Sequence, residues 1–347
     1  MALSLIADIG GTNARFALAD SLSAPRSVEV LKVADFVQPL SAIRAYLKSV
    51  GNPRLGKAAF ALACPVVGDH ARLTNASWHF HRVELQKALG VTQLLLLNDF
   101  EALAWSLPGL STRDGYQFGG RQGVRRAPLA LIGPGTGLGV SGLLPTAGDG
   151  WIALAGEGGH ASLAPADSRE SEILAFLWQT HEHVSAERLL CGAGMPLLLQ
   201  AVAQIDQIRG HRAPDDYGDA AAITAAALAG DPLALATVNC FSALVGGAAG
   251  NLALTLGARG GVYIGGGIVP RLGRLFKASA FRQRFEAKGR FRAYLMPIPV
   301  YVVTAGAPAL SGALRALKLR AAVAQSHHFS PPNVDHPVQI ASGQPVN

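Results

Sequence analysis

Cysteine and charged residues are both scarce in this chain of 347 residues. Cysteine occurs three times, at Cys64, Cys191 and Cys240, and these positions are far apart. Because the number is odd and no C-x-x-C pair is present, the sequence predicts no disulfide framework and no cysteine-rich zinc site. Charged residues make up 15 % of the chain, whereas half of it is hydrophobic. This composition excludes a disordered or coiled-coil protein and is typical of a globular one.

Long hydrophobic runs are also rare. The N-terminal run ends at Asp8 and follows no basic segment, so we expect no signal peptide. Residues 232–258 carry no charged side chain and exceed the roughly 18 residues that a membrane span needs. Asn239, Asn251 and several glycines interrupt this segment, however, and favour buried core helices. We therefore expect a protein of the reducing cytoplasm with no membrane partner.

The net charge of +7 has a largely local origin. Many basic residues lie between residues 271 and 292, where leucine and phenylalanine recur at roughly helical spacing. This pattern predicts an amphipathic helix with a solvated basic face, which could draw polyphosphate towards the protein. No nucleic-acid-binding motif accompanies the basic residues, so we expect no nucleic-acid partner.

Glycine, in contrast, is abundant and concentrated in a few turns. The first turn, ADIGGTN at residues 7–13, lies between two short apolar runs and predicts a β-hairpin. A second turn, GPGTGLG, follows at residues 133–139, and its Gly135-Thr136 falls where Gly11-Thr12 falls in the first. One such turn most often only connects two strands. Glycine also lets backbone N–H groups approach an anion closely, so the repetition indicates two halves that each cradle phosphate.

Strand-length apolar runs alternate with helical patterns along the chain. Strands are predicted at residues 3–8, 15–19, 57–63, 91–97, 262–264 and 298–304, and helices at 40–50, 100–107, 168–182, 185–190, 196–209, 220–256 and 309–319. A polar, glycine-rich stretch before residue 127 predicts a hinge. The alternation predicts an α/β fold of two domains: a small domain over residues 1–109, completed by about 303–322, and a large one over 110–302. We expect residues 323–347 to form a disordered tail.

Two aspartates, Asp8 and Asp99, each follow a predicted buried strand. Open α/β sheets bind ligands at the carboxyl ends of their strands. Asp99 could equally be the N-cap of the helix that follows it. Two strand-end aspartates beside two candidate phosphate turns indicate chemistry on a metal-bound nucleotide.

Further polar side chains occur in the second half. Glu157 and His160 lie in a glycine-rich loop that leaves both free to contact a ligand, and a zinc site would need a third ligand that the loop lacks. Glu187 lies in a short helical segment, where the helix dipole by itself favours an acidic residue.

These segments occur in an order that resembles the bacterial glucokinases of the hexokinase, actin and heat-shock-chaperone superfamily. The matching segments are ADIGGTNARF (7–16), LTNASW (73–78), LNDFEA (97–102), GPGTGLG (133–139), EGGH (157–160), ERLL (187–190) and GGGIVPR (265–271). The resemblance extends to about residue 319 and implies a two-domain actin-like ATPase (ribonuclease H-like) fold with an inter-domain cleft.

The resemblance implies ATP-dependent phosphorylation of the 6-hydroxyl of glucose. It makes Asp99 the catalytic general base, and Asp8 the residue that orients Mg²⁺ through water. The implied sugar-binding residues are Asn75, Asn98, Asp99, Glu157, His160 and Glu187. The implied nucleotide-binding residues are Ala7, Asp8, Ile9, Gly10, Gly11, Thr12, Asn13, Gly135, Thr136, Gly137, Gly265, Gly266 and Gly267. It further implies glucose and ATP as ligands, and a homodimer.

Three alternatives share this fold. A kinase of another hexose would carry much the same motifs. A sugar kinase of the repressor/open-reading-frame/kinase type usually has a zinc-binding cysteine cluster after its histidine, and Cys191 stands alone here. A non-catalytic sugar sensor would keep the sugar residues and tend to lose Asp99 or a phosphate turn, and all of these are present.

Overall fold

The chain folds around two main β-sheets. The computed structural model describes residues 2–20, 24–207 and 213–326. Over these residues the strands are β1 (Leu3–Ile9), β2 (Asn13–Ala19), β3 (Arg26–Lys32), β4 (Leu55–Leu62), β5 (Val66–Val67), β6 (His70–Arg72), β7 (His79–His81), β8 (Gln93–Asn98), β9 (Gly115–Gln117), β10 (Leu129–Pro134), β11 (Leu138–Pro145), β12 (Trp151–Ala153), β13 (Gly261–Ile264) and β14 (Val300–Val303).

The helices of the described residues lie on and between these sheets. They are α1 (Pro39–Ser49), α2 (Arg82–Leu89), α3 (Asp99–Ser106), α4 (Ser168–Trp178), α5 (Ala186–Leu189), α6 (Gly194–Asp206), α7 (Ala220–Leu228), α8 (Pro232–Leu256), α9 (Ile268–Leu272), α10 (Arg274–Ala278), α11 (Phe281–Glu286), α12 (Arg292–Leu295) and α13 (Pro308–Ser326). Short 3-10 turns occupy Val33–Asp35, Leu107–Gly109, Gly158–His160, Pro214–Tyr217 and Gly289–Phe291.

The two main sheets share an equivalent order over five strands, and the second has β9 as an additional edge strand. In the first, β3-β2-β1-β4-β8, the central β1 pairs antiparallel with β2 and parallel with β4. In the second, β12-β11-β10-β13-β14-β9, the central β10 pairs antiparallel with β11 and parallel with β13. The two predicted glycine hairpins are therefore confirmed, and each lies in one of the two sheets. Strand β9 comes from the stretch predicted as a hinge, so part of that stretch is a sheet edge.

Helices α3 and α13 fill the space between the two sheets. Their buried side chains share one core with Ile6 and Ala59 of the first sheet and Leu131 and Leu143 of the second. A Cβ at Gly312 of α13 would overlap the Ala102 carbonyl oxygen, so the two helices pack backbone against backbone. Helix α13 also packs on β1 and β4. This arrangement places the N-terminus of α3 at the junction of the sheets.

Helix α8 crosses the core of the second half. The Asp231 side chain caps it by accepting from the Ala234 N–H, Pro232 opens it, and Gly257 ends it with a φ of +61°. Among the described residues it is the helix long and apolar enough to cross a membrane, and 72 % of its most apolar window is buried inside the protein. Such burial is typical of a core helix, as the sequence predicts. The 220–256 span is divided, since α7 ends before Pro232.

The prediction of an amphipathic basic helix over residues 271–292 is wrong. Glycines with positive φ at Gly273 (+53°) and Gly289 (+53°) break the segment into short helices. Its charges are also partly paired, because Arg284 lies 2.8 Å from the buried Glu170 and Arg282 lies 2.7 Å from Glu286. The segment therefore does not present a fully solvated basic face.

The last helix is longer than the sequence predicts. Helix α13 continues to Ser326, so residues 323–326 are helical and not the start of a tail. The remainder of the expected tail, residues 327–347, lies outside the described residues.

Candidate functional site

The first glycine hairpin carries an ion pair just below its turn. Asp8 of β1 lies opposite Arg15 of β2, and Arg15 Nη1 is 3.3 Å from Asp8 Oδ2. Burial raises the pKa of the Asp8 carboxyl, while the charge and hydrogen bond of Arg15 lower it. The turn is closed by the Gly10 N–H, which donates to the Asn13 carbonyl at 2.9 Å. Asp8 is thus held at the carboxyl end of a central strand, beside the turn.

The second glycine hairpin has the same place in its sheet and a shorter turn. Four residues separate the innermost pair Ile9 and Ala14, whereas three separate Pro134 and Leu138. Counted back from the second strand, Gly135-Thr136 falls where Gly11-Thr12 falls, as the sequence predicts. The Gly135 N–H donates to the Gly137 carbonyl at 2.8 Å. Both threonines are exposed at the tips of their turns.

Asn98 and Asp99 join β8 to α3. The cap of the helix is Asn98, whose Oδ1 accepts from the N–H groups of Phe100 (2.8 Å) and Glu101 (3.3 Å). Asn98 Nδ2 donates to the Cys64 carbonyl at 3.3 Å, which further fixes the amide. Asp99 is therefore the first residue of the helix and not its cap, although Phe100 N–H also lies 2.9 Å from Asp99 Oδ1.

The Asp99 carboxyl has the proton affinity of a base that works near neutral pH. Burial raises its pKa to about 6, the charges of Asp8 and Glu157 add to this, and the Phe100 N–H opposes it. Burial, and next to it the charge of Asp99, also raises the pKa of the Cys64 thiol to about 11. Because these electrostatic effects decline with distance, Asp8, Asp99 and Glu157 belong to one site.

Glu187 and His160 lie side by side on the second half. A bridge between Ser162 and Ser185 joins their two loops, and the Ser185 side chain caps α5. Glu187 Oε1 lies 3.8 Å from His160 Nε2, while Glu187 Oε2 accepts from the Leu138 N–H at 2.7 Å. The structure thus brings both residues next to the second glycine turn. His160 is 60 % exposed, which leaves its ring open to a ligand.

Asn75 lies against the first glycine turn. A Cβ on Gly11 would stand 2.9 Å from Asn75 Cβ, which is closer than real contacts allow. Gly11 and Asn75 both line a cavity of about 480 Å³ together with residues 33–37. The absence of a side chain at Gly11 therefore lets the Asn75 loop approach the turn.

The glycines Gly265, Gly266 and Gly267 follow β13 beside the second hairpin. The Gly265 N–H donates to the Ile132 carbonyl at 2.9 Å. Gly266 has a φ of +76°, and a Cβ there would overlap the Pro134 carbonyl. Gly267 is exposed. This segment therefore extends the surface of the second glycine turn.

Two residues of the site carry contacts that the sequence does not predict. Arg15 and Phe100 lie within the recognised motifs, but their partners only become visible once the strands are paired. The signal for Arg15 is its position opposite Asp8 across a hairpin. The signal for Phe100 is the glycine pair Gly133 and Gly139, which leaves room for a large side chain.

Two sheets of equivalent order over five strands, each containing a glycine hairpin and packed together through α3, define the actin-like ATPase fold. Within it, the family model described as Glucokinase matches residues 5–320. The chain belongs to the glucokinase family.

Relatives and solved structures agree with this assignment. A glucokinase of Chromobacterium violaceum is 50 % identical over 89 % of this chain and 87 % of its own length. A crystal structure of glucokinase from an Antarctic psychrotroph is 36 % identical, with a TM-score of 0.83, and covers 92 % of this chain and 99 % of that one. The bifunctional protein glk of Burkholderia pseudomallei is 50 % identical over 89 % of this chain but only 47 % of its own length. The chain thus spans about half of that longer relative.

Proposed function

We propose that this chain is an ATP-dependent glucokinase that transfers the γ-phosphoryl group of ATP to the 6-hydroxyl of glucose. The products are glucose 6-phosphate and ADP, as in the first step of glycolysis in the cytoplasm. The observation that carries the proposal is the Asp99 carboxyl, whose pKa of about 6 suits a general base, at the N-terminus of a helix between two glycine hairpins.

Asp99 accepts the proton of the 6-hydroxyl as that oxygen attacks the phosphorus. Phosphoryl transfer depends mainly on positioning and charge stabilisation, so one correctly placed carboxylate suffices as the base. Burial keeps this carboxylate poorly hydrated, which explains both its raised pKa and its readiness to accept a proton.

The sugar lies against the polar groups that surround Asp99 in this proposal. Asn75, Glu157, His160 and Glu187 hydrogen-bond its hydroxyls. Asn75 lies against the first glycine turn, Glu187 lies against the second with His160 beside it, and the charge of Glu157 acts on the Asp99 carboxyl. Asn98 contributes less than the family resemblance implies. Its oxygen already accepts two N–H groups and one amide hydrogen is used on Cys64, so one N–H remains for the sugar.

The phosphates of ATP lie between the two turns. The first is formed by Ala7, Asp8, Ile9, Gly10, Gly11, Thr12 and Asn13, and the second by Gly135, Thr136 and Gly137. Backbone N–H groups and the exposed threonine hydroxyls supply donors to phosphate oxygens. Gly265, Gly266 and Gly267 border the adenosine, since the segment continues the surface of the second turn.

Asp8 fits the role of a magnesium-orienting residue. Mg²⁺ keeps several waters and uses one or two carboxylates plus substrate phosphates, so a protein cage is not needed. The described residues contain no group of three or more His, Cys, Asp or Glu that would form such a cage. Burial raises the pKa of Asp8, and a nearby cation would favour its ionised form. Bound Mg²⁺ would neutralise charge on the phosphates.

The proposal predicts strictly sugar-dependent ADP release. In a coupled assay with glucose, mannose, fructose and N-acetylglucosamine, we expect the highest kcat/KM for glucose and a product phosphorylated at the 6-position by ³¹P NMR. Equal ADP release with and without sugar would exclude a hexose kinase. Preference for another hexose would reassign the substrate, and glucose binding without ADP release would indicate a sugar sensor.

The assembly and domain movement are also part of the proposal. We propose a homodimer, as the family resemblance implies, and a small domain over residues 1–109 and about 303–322 that closes on residues 110–302. Closure excludes water, which would otherwise compete with the sugar hydroxyl. Light scattering after size-exclusion chromatography gives the mass, and X-ray scattering with and without glucose measures the closure.

A further inference from the structure

We infer that Phe100 is a positioning residue that fixes the position of the Asp99 carboxylate relative to the second glycine hairpin. The inference rests on the proposed function and adds to it a link between the base and the nucleotide site. It assigns to one residue two contacts, one through its backbone and one through its ring.

The ring of Phe100 lies over the cross-strand pair Gly133 and Gly139. These residues face each other in the register of β10 and β11, one pair below the turn. A Cβ on Gly133 would stand 2.5 Å from Phe100 Cζ and 2.6 Å from Cε1, and a Cβ on Gly139 would overlap the other side of the ring. Two adjacent positions therefore lack side chains where the ring is seated. Side chains at Gly133 and Gly139 would occupy the space that the Phe100 ring now takes.

The backbone of Phe100 at the same time contacts the side chains of Asn98 and Asp99. Its N–H lies 2.9 Å from Asp99 Oδ1 and 2.8 Å from Asn98 Oδ1. A single planar amide thus fixes one oxygen of the base and the side chain that caps the helix. A shift of the ring across the hairpin would move this amide and the carboxylate with it.

The rest of α3 prevents the helix from adjusting independently. One turn further on, Leu103 packs against Gly265, where a Cβ would lie 2.9 Å from Leu103 Cδ2. On the opposite side, Gly312 brings α13 into direct backbone contact with Ala102 and Ser106. Because α3 is held on both sides, the ring of Phe100 sets the position of its first turn relative to the second hairpin.

The test is a double-mutant cycle between the ring and the hairpin. In Phe100→Ala the Asp99 carboxylate is no longer held in place relative to the hairpin. We therefore expect kcat to fall on the order of 10²-fold, while KM for ATP and glucose changes about threefold or less. In Gly139→Ala the new methyl group displaces the ring, so kcat should also fall. Phe100→Ala/Gly139→Ala should be no slower than Phe100→Ala alone, because the methyl group then has space.

Phe118→Ala is the matched control. Phe118 is also a partly buried phenylalanine, packed 5.1 Å from the Phe276 ring within the second half. Its truncation should lower the melting temperature as much as Phe100→Ala does and leave kcat unchanged. If Phe100→Ala proves too unstable to assay, Phe100→Leu takes its place. This variant keeps more side-chain volume, and its kcat should still fall below that of the unaltered protein, by less than about 10²-fold.

Two results would overturn the inference. Multiplicative losses in the double variant would show that ring and hairpin act separately. A fall in kcat for Phe118→Ala equal to that for Phe100→Ala would assign the loss to general destabilisation. Absence of sugar-dependent ADP release in the unaltered protein would instead refute the proposed function, so the two failures are distinguishable.

Discussion

The two glycine hairpins occupy equivalent places in their sheets and differ in the pair just below the turn. In the first hairpin this pair is Asp8 and Arg15, joined by an ion pair. In the second it is Gly133 and Gly139, covered by the ring of Phe100. At this pair the first hairpin thus presents two charged side chains, whereas the second presents no side chains. The helix that carries Asp99 packs on the second hairpin there, through Phe100.

One glycine in each turn leaves space for the side chain of a neighbouring residue. Gly11 leaves room for Asn75 on the first turn, and Gly137 leaves room for the Glu187 carboxylate on the second. Each turn therefore contacts a residue expected to bind sugar.

The largest expected effect comes from Asp99→Asn, which removes the proposed base between the hairpins. Loss of general-base catalysis should lower kcat by about 10² to 10⁴-fold, with little change in KM for ATP, measured by the coupled assay. If kcat stays within a factor of two, Asp99 is not the base.

The same variant should be more stable than the unaltered protein. The folded-state pKa of Asp99 is about 6, above the 3.8 of an unfolded aspartate, so its ionisation costs stability that is lost as pH rises between these two values and stays lost above pH 6. Asparagine carries no such charge, and we expect a higher melting temperature at pH 8 that converges with that of the unaltered protein near pH 4. A lower melting temperature at pH 8 would contradict the raised pKa.

The sequence predicted the parts of the site that depend on local pattern. Both hairpins, the strand before Asp99 and the helix after it follow from apolar periodicity and glycine position. The structure has both hairpins, and it has that strand and that helix within two residues of the predicted bounds. The prediction of a basic helix over residues 271–292 is wrong because local pattern does not decide where that segment breaks. Its phenylalanines recur at helical spacing, but Gly273 and Gly289 adopt positive φ and break the helix, and nothing local reveals which glycines do so.

The contacts across the site could not be read from the sequence. The approach of Glu187 to Leu138 spans 49 residues and depends on the bridge between Ser162 and Ser185. The seat of Phe100 depends on the exact register of β10 and β11, which a turn shorter by one residue sets. Such long-range pairings are decided by packing, which a local pattern does not encode.

In each turn, a comparison of glycine substitutions should separate contact with an expected sugar-binding residue from the approach of phosphate. Gly137→Ala places a methyl group 2.5 Å from Glu187 Oε2 and should displace that carboxylate from the Leu138 N–H. A displaced Glu187 would no longer meet the sugar, and losing one charged hydrogen bond to the sugar, about 1.5 to 3 kcal/mol, corresponds to a rise in glucose KM of about 10 to 10²-fold. Gly11→Ala should act on glucose through Asn75, by a similar contact.

Gly10→Ala and Gly135→Ala are the matched controls in the same turns. Neither residue has a positive φ, and a Cβ at each would meet its nearest atom at 3.7 Å or more. These variants should fold normally and raise KM for ATP alone, because the methyl group reduces the approach of phosphate. A rise in glucose KM equal to that of Gly137→Ala would refute the role assigned to the Glu187 contact.

The pH dependence should reveal the negative charges that surround Asp99. Because Asp99 must be ionised to accept a proton, kcat/KM should fall about tenfold for each unit of pH below about 6. Glu157→Gln removes a negative charge that raises this pKa, so the acid limb should move to lower pH even though the variant binds sugar less well. A limb that stays in place or moves upward would exclude Glu157 as a neighbour of the base.

The smallest expected effect is that of Arg15→Met in the first hairpin. Its ion pair with Asp8 is partly exposed, with 38 % and 19 % of the two side chains accessible, so the loss in free energy of unfolding should stay below about 1 kcal/mol in urea denaturation. Without Arg15, the pKa of Asp8 rises further, yet the negative potential at the turn increases. The Mg²⁺ concentration for half-maximal activity at pH 8 should therefore fall by about fivefold or less.

Arg15→Lys is the control, because it keeps the charge and should leave that Mg²⁺ concentration unchanged. A loss of activity in either variant that added Mg²⁺ does not restore would show that Arg15 contacts the nucleotide directly.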